Sequence, residues 1–463
     1  MKPSDRVFGG LLFVFALALR MGVGLSWVGE AVWDGHYYDF GAQRIAEGLG
    51  YSDDLVVAGK LIWHPWCHYP VGYSAFLALF YRILGATPGV AVFANALTGA
   101  GLAVATWRLG ARAFGGWRGR IAGGLVAVHP GLVAYAALTM TEPLASLGAF
   151  VAFVLATSGR RWGLVLGALV LGLSALVRPQ ALLCAPFLAL AGETPLEAWH
   201  FKRLLCRAVL VTGLALVPVL PWTVRNCRVM DGCALVSTNG GWNLAIGSFP
   251  RATGRFETLR SSDGCREVTG QVQQDRCWFG YGVKQIWASP MHWLGLVPAK
   301  LGFTFDHESF AFEYLHQARP EVWPDETRAT ARGVTTLVHR VLVLFAALGC
   351  VGFSLGRGVG TLVQGALLVA VAAIAYFGMA GREPSVWPLV VVTALVPWLR
   401  LPGRPRWSTA VGLPLVLLGT TVLTHAVFFG EDRYHMVVTP VLCLLAAGAF
   451  RRQELFGEAL ARG

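Results

Sequence analysis

Long apolar runs, continuous rather than alternating, constrain this 463-residue chain more than any other feature. A helix that crosses a bilayer needs roughly 20 mostly apolar residues, and backbone groups in hydrocarbon must be satisfied within the segment or in a closed barrel. Barrel strands alternate apolar and polar residues, so continuous runs exclude a barrel. Candidate spans fall at 8–28, 88–107, 121–138, 143–158, 162–177, 180–191, 205–222, 334–355, 359–379, 386–400, 408–428 and 435–450. The chain is therefore expected to be an all-α polytopic membrane protein with about twelve transmembrane helices, several of them short. Composition agrees. Charged residues make up only 14% of the chain and the mean hydropathy is +0.56, whereas a soluble domain carries about 25% charged residues. The first run is too long for the core of a cleaved signal and lacks a small-residue cleavage site, so it reads as a retained span.

The net charge of +12 does not indicate a nucleic-acid partner. Most of it is Arg clustered between apolar runs, where the positive-inside rule places basic residues. The clusters are Arg108, Arg112, Arg118 and Arg120; Arg160 and Arg161; Lys202, Arg203 and Arg207; Arg400, Arg404 and Arg406; and Arg451 and Arg452. With the N-terminus inside, all face the cytoplasm, provided the aromatic segment 68–84 lies in the outer interface as an amphipathic helix. This bias implies a bacterial inner membrane, with the polar loops in the periplasm.

Four polar regions then face outward: a first loop with interfacial helices (29–87), a tiny turn at 139–142, a medium-sized loop between the seventh and eighth spans (223–333), and the turn 430–434. The chain divides accordingly into an N-terminal transmembrane module (1–222), a periplasmic loop region (223–333) and a C-terminal transmembrane module (334–463). An amphipathic stretch covers 291–305. Cys227, Cys233, Cys265 and Cys277 share the second outer loop, where an oxidising compartment permits one or two disulfides. The other cysteines lie mainly in apolar runs, where Cys is a small hydrophobe.

The outer side holds the residues able to do chemistry. Trp33-Asp34-Gly35-His36-Tyr37-Tyr38-Asp39 follows the first span and leads into a short amphipathic helix. On spacing alone Asp34 reads as that helix's N-cap. Glu142, in Thr139-Met140-Thr141-Glu142-Pro143, reads equally as a helix start with an early Pro. An ionisable residue so close to hydrocarbon is nonetheless a functional candidate by default. Arg178, Arg225 and Arg433 lie at the outer edge against the charge bias. Each has the planar donor fork that suits phosphate, and each has acidic residues or lipid head groups as structural alternatives. His64-Pro65-Trp66-Cys67-His68 has metal-ligand composition without a second ligand group at standard spacing, which disfavours zinc.

These residues, in this order, resemble the C-type membrane glycosyltransferases, in particular bacterial relatives of dolichyl-phosphate-mannose protein mannosyltransferases and lipid A aminoarabinose transferases. The matching stretches begin with Asp34…Tyr38…Ala42…Ala46-Glu47-Gly48…Gly50-Tyr51. Tyr69-Pro70…Gly72-Tyr73…Phe76-Leu77…Tyr81-Arg82 comes next, then Thr141-Glu142-Pro143, Arg178-Pro179 and Pro221-Trp222…Arg225-Asn226. Thr238-Asn239-Gly240-Gly241…Asn243-Leu244 and Arg433-Tyr434-His435…Pro440 close the series. The resemblance implies an inverting transfer of a hexosyl or pentosyl unit from a polyprenyl-phosphate-linked donor to a glycan, lipid or protein acceptor. Asp34 becomes base or metal ligand and Glu142 its acidic helper. Arg225, Arg433 and Arg178 surround the donor phosphate, and Tyr37, Tyr38, Tyr73, Asn239 and His435 contact substrate. A divalent metal is a candidate cofactor, and membrane lipid is a partner. Many protein mannosyltransferases carry an Asp-Glu pair in the first loop. Here Gly35 follows Asp34, so a protein acceptor is not implied.

The chemistry is coherent: an attacking hydroxyl needs a group to take its proton, and the departing phosphate needs positive charge. Two other classes share the span pattern. A secondary transporter or lipid flippase would show buried charges or Gly/Pro breaks in both halves, and no internal repeat is visible. A non-catalytic polysaccharide-assembly subunit would not need Asp34, Glu142 and Arg433 together.

Overall fold

The computed structural model describes residues 3–191, 201–352, 359–381, 383–399 and 408–449. Those residues form helices joined by loops, with a single two-stranded hairpin. Five helices are long and apolar enough to cross a membrane: Pro3–Trp27, Pro88–Phe114, Asp325–Val351, Val359–Ala380 and Thr409–Val427. Two bent pairs, Gly116–Val128 with Pro130–Ala137 and Phe201–Leu216 with Leu220–Val229, make seven if each is one broken span.

The remaining expected spans are shorter apolar helices, among them Glu142–Ala156, Gly163–Val177 and Pro179–Leu190. The stretch expected at 435–450 divides into a 3₁₀ turn, Asp432–Val437, and the helix Thr439–Ala446. Length explains the shortfall from twelve. A 15-residue helix such as Glu142–Ala156 reaches only about 22 Å, against a hydrocarbon core of about 30 Å. The expected basic residues Arg400, Arg404, Arg406, Arg451 and Arg452 lie outside the described residues.

Close helix contact is made by small residues. A Cβ on Gly119 would lie 2.3 Å from the Ala111 nitrogen, and one on Gly99 would lie 2.2 Å from Arg20 Nε. Such positions let helix axes approach where apolar burial gives no net drive. Arg20 itself is fully buried. Its guanidinium donates to the Val126 and Ala127 carbonyls at 2.8 and 2.9 Å, where Pro130 interrupts the span with a 53° bend. A broken helix leaves orphan carbonyls, and in an apolar bundle another side chain has to meet them.

Charge separates the two ends of this bundle. Arg120 pairs with Asp5 at 3.3 Å, and Arg112 donates to Thr157 Oγ1 at 2.8 Å, so these residues share one end. The helices Pro3–Trp27 and Glu142–Ala156 then carry the chain to Asp34 and from Glu142 at the opposite end.

The first loop is more ordered than its sequence suggests. The helix Asp34–Ala46 is followed by strands Ser52–Val57 and Lys60–Pro65, then by the helix Gly72–Leu84. Ala58 and Gly59 both have positive φ, the geometry of a two-residue hairpin turn. Arg44 grips Asp54 at 2.7 and 3.0 Å, and His64 contacts Asp53 at 2.7 Å. The loop is stitched to the second outer region. Thr238 N donates to the Cys67 carbonyl at 2.8 Å, and Cys67 N donates to Gln271 Oε1 at 2.9 Å. Within that second region the pairs are Cys227–Cys233 and Cys265–Cys277. The amphipathic stretch expected at 291–305 is two short helices, Pro290–Gly295 and Val297–Phe305.

Candidate active site

Asp34 is the first residue of its helix, and Trp33 occupies the cap position with no side-chain cap bond. The expectation that the carboxylate serves as N-cap is thereby corrected: it is directed elsewhere. Tyr69 Oη donates to Asp34 Oδ1 at 2.9 Å, and Arg433 Nη1 donates to Asp34 Oδ2 at 2.5 Å. Trp33 holds φ of +49°, a left-handed conformation that costs a non-glycine residue about 1–3 kcal/mol. Its ring packs edge-on against Tyr314 and tilted against Phe310, with centroids 6.0 and 5.7 Å away. Gly35 completes the turn. A Cβ there would lie 2.3 Å from Tyr314 Oη and 2.6 Å from Thr139 Oγ1. The position that is acidic in many protein mannosyltransferases therefore has no room for any side chain here.

Arg433 is reached from the far end of the chain. It begins beside Asp432, which accepts hydrogen bonds from Ser309 Oγ at 2.9 Å and Phe310 N at 2.8 Å, and from Ser309 N. That clamp ties the 3₁₀ turn Asp432–Val437 to the start of the helix Phe310–Ala318. Arg433 Nε lies 2.5 Å from Glu431 Oε2 as well. The Glu431 oxygen lacks hydrogen-bond alignment despite this closeness, so the contact is an ion pair without directional bonding.

Glu142 and Arg178 form a second pair at 3.2 Å, with Glu142 completely buried. Both carboxylate oxygens of Glu142 lack an aligned hydrogen bond. The pair reaches the first through one ring: Arg178 and Arg433 lie 5.2 and 5.1 Å from the Tyr434 centroid, within cation–π range. Asp34, Glu142, Arg178 and Arg433, brought from four parts of the sequence, thus share one locus. It holds three carboxylates (Asp34, Glu142, Glu431) against two guanidiniums.

Burial pushes the Asp34 carboxyl up, but the Arg433 charge and the bonds from Arg433 and Tyr69 outweigh it, so Asp34 stays below its ordinary value. Glu431 is shifted the other way: burial raises it more than Arg433 lowers it. Tyr69 is raised by burial and by the Asp34 charge, so it is a firm hydrogen-bond donor. His68 is lowered by burial, although Asp34 opposes this.

The other expected site residues are placed as follows. Arg225 donates to the Trp66 carbonyl at 2.7 Å and the Tyr51 carbonyl at 2.9 Å, clamping the first loop. Tyr37 is 44% exposed and stacks on Tyr69 with centroids 5.3 Å apart, so it can meet a ligand from solvent. Tyr38 is buried behind it against Tyr69 and Tyr73. Tyr73 donates to Asn95 Oδ1 at 2.9 Å in the core. Asn239 stands at the cap position of the helix Gly240–Ile246 and accepts from Ser237 Oγ at 2.9 Å. His435 is fully buried with Glu308 and His339, away from Asp34.

Tyr69 and Tyr434 stand in the sequence only within motifs, with no role assigned to either, and nothing there points to Tyr314. Tyr69 had a usable signal, since it opens the Tyr-Pro motif right after an interfacial His. As for metal binding, both Asp34 oxygens are already engaged by Arg433 and Tyr69. Among the described residues, metal-type ligand atoms converge at Glu308, His339 and His435 instead.

Residues 68–222 match the dolichyl-phosphate-mannose-protein mannosyltransferase family. The matched stretch covers about a third of the chain and holds Glu142 and Arg178. Solved structures with similarity include the oligosaccharyltransferase AglB of Archaeoglobus fulgidus in complex with an inhibitory peptide and a dolichol-phosphate. It is 13% identical, with a TM-score of 0.46 over 96% of this chain and 50% of that one. ArnT of Cupriavidus metallidurans bound to undecaprenyl phosphate is 14% identical, with a TM-score of 0.36 over 95% of this chain and 77% of that one. The chain spans about half the length of the oligosaccharyltransferase. No curated protein matches the sequence.

Proposed function

We propose that the protein transfers a sugar from a polyprenyl-phosphate carrier to an acceptor hydroxyl, with inversion, at the Asp34 end of the bundle. The observation that carries this reading is the joining of Asp34–Arg433 to Glu142–Arg178 through Tyr434. A single displacement needs one carboxylate at the acceptor and positive charge at the phosphate, and the locus supplies Asp34 with the guanidiniums of Arg178 and Arg433. Asp34 accepts the hydrogen bond of the attacking hydroxyl and takes its proton as the new glycosidic bond forms. A carboxylate held below its ordinary value is a weak base, so the proton leaves late, when the hydroxyl oxygen has become acidic through bonding. Arg178 and Arg433 offer positive charge to the phosphate as the old bond breaks, in surroundings where such charge counts for more than in water.

Glu142, fully buried, holds Arg178 in place. Arg225 acts as the clamp that keeps the first loop over the site. Tyr69 and Arg433 each hold one Asp34 oxygen, and each oxygen keeps a second lone pair for the acceptor hydroxyl. On this reading the site faces the periplasm of a bacterial inner membrane, opposite the Arg-rich end. Tyr37 lies on the acceptor side, where it is accessible and stacked beside Tyr69.

The test is transfer of radiolabel from a panel of polyprenyl-phosphate sugars by the purified protein in lipid, with membrane extract as acceptor. Labelled product from one donor supports the reading and identifies the acceptor. Donor movement between leaflets without any labelled product would favour a flippase.

A further inference from the structure

A second polar cluster lies outside the Asp34 site and is buried throughout. Glu308 occupies the turn before the helix Phe310–Ala318, His339 lies on the helix Asp325–Val351, and His435 lies in the turn Asp432–Val437. One ligand atom from each falls within 4.8 Å of the others. His435 Nε2 is 3.2 Å and His339 Nδ1 is 3.9 Å from Glu308 Oε2.

Backbone carbonyls set the tautomers of both rings. His435 Nδ1 lies 2.8 Å from the Thr304 carbonyl, and His339 Nε2 lies 2.8 Å from the Phe305 carbonyl. A carbonyl only accepts, so each of these nitrogens carries the hydrogen, and each neutral imidazole turns its lone pair to Glu308. Three electron-pair donors therefore converge in a buried space. His339 Nδ1 and Glu308 Oε1 have no hydrogen-bond partner. A single proton shared by His435 and Glu308 would leave those two atoms unmatched, at a cost of about 1–3 kcal/mol each.

The surroundings are built to hold this geometry. Gly131 gives the carboxylate room, since a Cβ there would lie 2.0 Å from Glu308 Oε1. Thr335 Oγ1 donates to the Glu308 carbonyl at 2.7 Å. His129 accepts from Leu132 N through Nδ1 at 3.4 Å, which directs its Nε2–H toward Glu308, 3.8 Å away. Imidazoles fixed by backbone carbonyls are a usual support of a metal centre.

We propose that Glu308, His339 and His435 form a binding site for one divalent transition-metal ion of the zinc class. Two imidazole nitrogens and one carboxylate are a borderline donor set that favours zinc over magnesium or calcium. Tetrahedral ligation at about 2.0–2.1 Å places ligand atoms roughly 3.3 Å apart. The His435–Glu308 distance of 3.2 Å already meets this, and His339, 3.9 Å from Glu308, closes in on the other two ligands as the ion binds. Such an ion would join three chain segments two residues from Arg433, making the site a positioning device for that side chain.

The experiment is metal analysis of the purified full chain in detergent, after loading with zinc and desalting, with cobalt loading read by visible absorption. The expected result is roughly one ion per chain, ligand-field bands with cobalt, and a melting temperature that falls on chelation and recovers with zinc. His339→Asn and Glu308→Gln should each lose the ion. Wild-type protein that retains no ion after loading would overturn the proposal without recourse to any variant. So would correctly folded variants that bind as wild type does.

Discussion

Asp34 and Arg433 are 399 residues apart in the chain and 2.5 Å apart in the structure. Their pairing closes the bundle around one end and fixes the ionisation of the first-loop carboxylate. Replacing Arg433 by Gln leaves Asp34 and Glu431 facing each other without their cation. Breaking a buried pair costs about 3–5 kcal/mol, and the partial exposure of this one places it near the lower end. Transfer should fall by about 10²–10³, the usual loss for removal of one charge-stabilising donor. Thermal unfolding in lipid together with initial transfer rates checks both effects.

Tyr69→Phe removes a hydrogen bond to the ionised form of Asp34. The tyrosine lowers the Asp34 pKa, so its loss should raise that pKa. Because transfer needs the carboxylate, the acid limb of the pH–rate profile should move to higher pH. The stability that the depressed Asp34 contributes is present above the ordinary carboxylate pKa and is lost as pH falls through the folded value. In Tyr69→Phe that contribution should be smaller and its loss complete at a higher pH. An unshifted limb in the mutant would show that another group governs it.

Gly35→Ala tests the packing beneath Asp34. The added methyl meets Tyr314 Oη and Thr139 Oγ1, an overpacking of about 1–3 kcal/mol. Displacement of the helix start should lower transfer even where the protein still folds. Transfer rates measured beside a melting curve separate the two effects.

The charged part of this site was legible in the sequence because ionisable residues beside apolar runs are expensive and few. Asp34, Glu142, Arg178 and Arg433 stood out on that ground. Asp34 reads as a cap in the sequence because the strained Trp33, which sets the helix start one residue earlier, has no sequence signature. Tyr73, Asn239 and His435 are grouped with the site through their motifs, and a motif does not show which partners a side chain meets. The 3₁₀ turn Asp432–Val437 winds about 120° per residue, so Arg433 and His435 leave it on different sides. Glu308 and His339 are not legible as a pair because they stand 31 positions apart with a helix between them and no ligand spacing to read. Gly59 was a signal for the hairpin, masked by the two acidic residues that begin its first strand. Several spans were overestimated because hydropathy reports apolar content and not where a Pro ends the helix.

The disulfide Cys265–Cys277 closes a short loop in the second outer region. Loops of this size gain about 3 kcal/mol from cross-linking. Replacing both cysteines with Ser should lower the melting temperature by that equivalent. Residual transfer should persist, since neither cysteine touches Asp34. Calorimetry and the transfer assay on the double variant test this.

The most direct test of the central claim is transfer by Asp34→Asn in lipid, with donor binding measured on the same preparation. The substitution keeps the shape and the Tyr69 contact while removing the charge that takes the proton. The account predicts a folded protein that binds the polyprenyl-phosphate donor and transfers at least 10²-fold more slowly than wild type. A folded Asp34→Asn protein with wild-type transfer would contradict it.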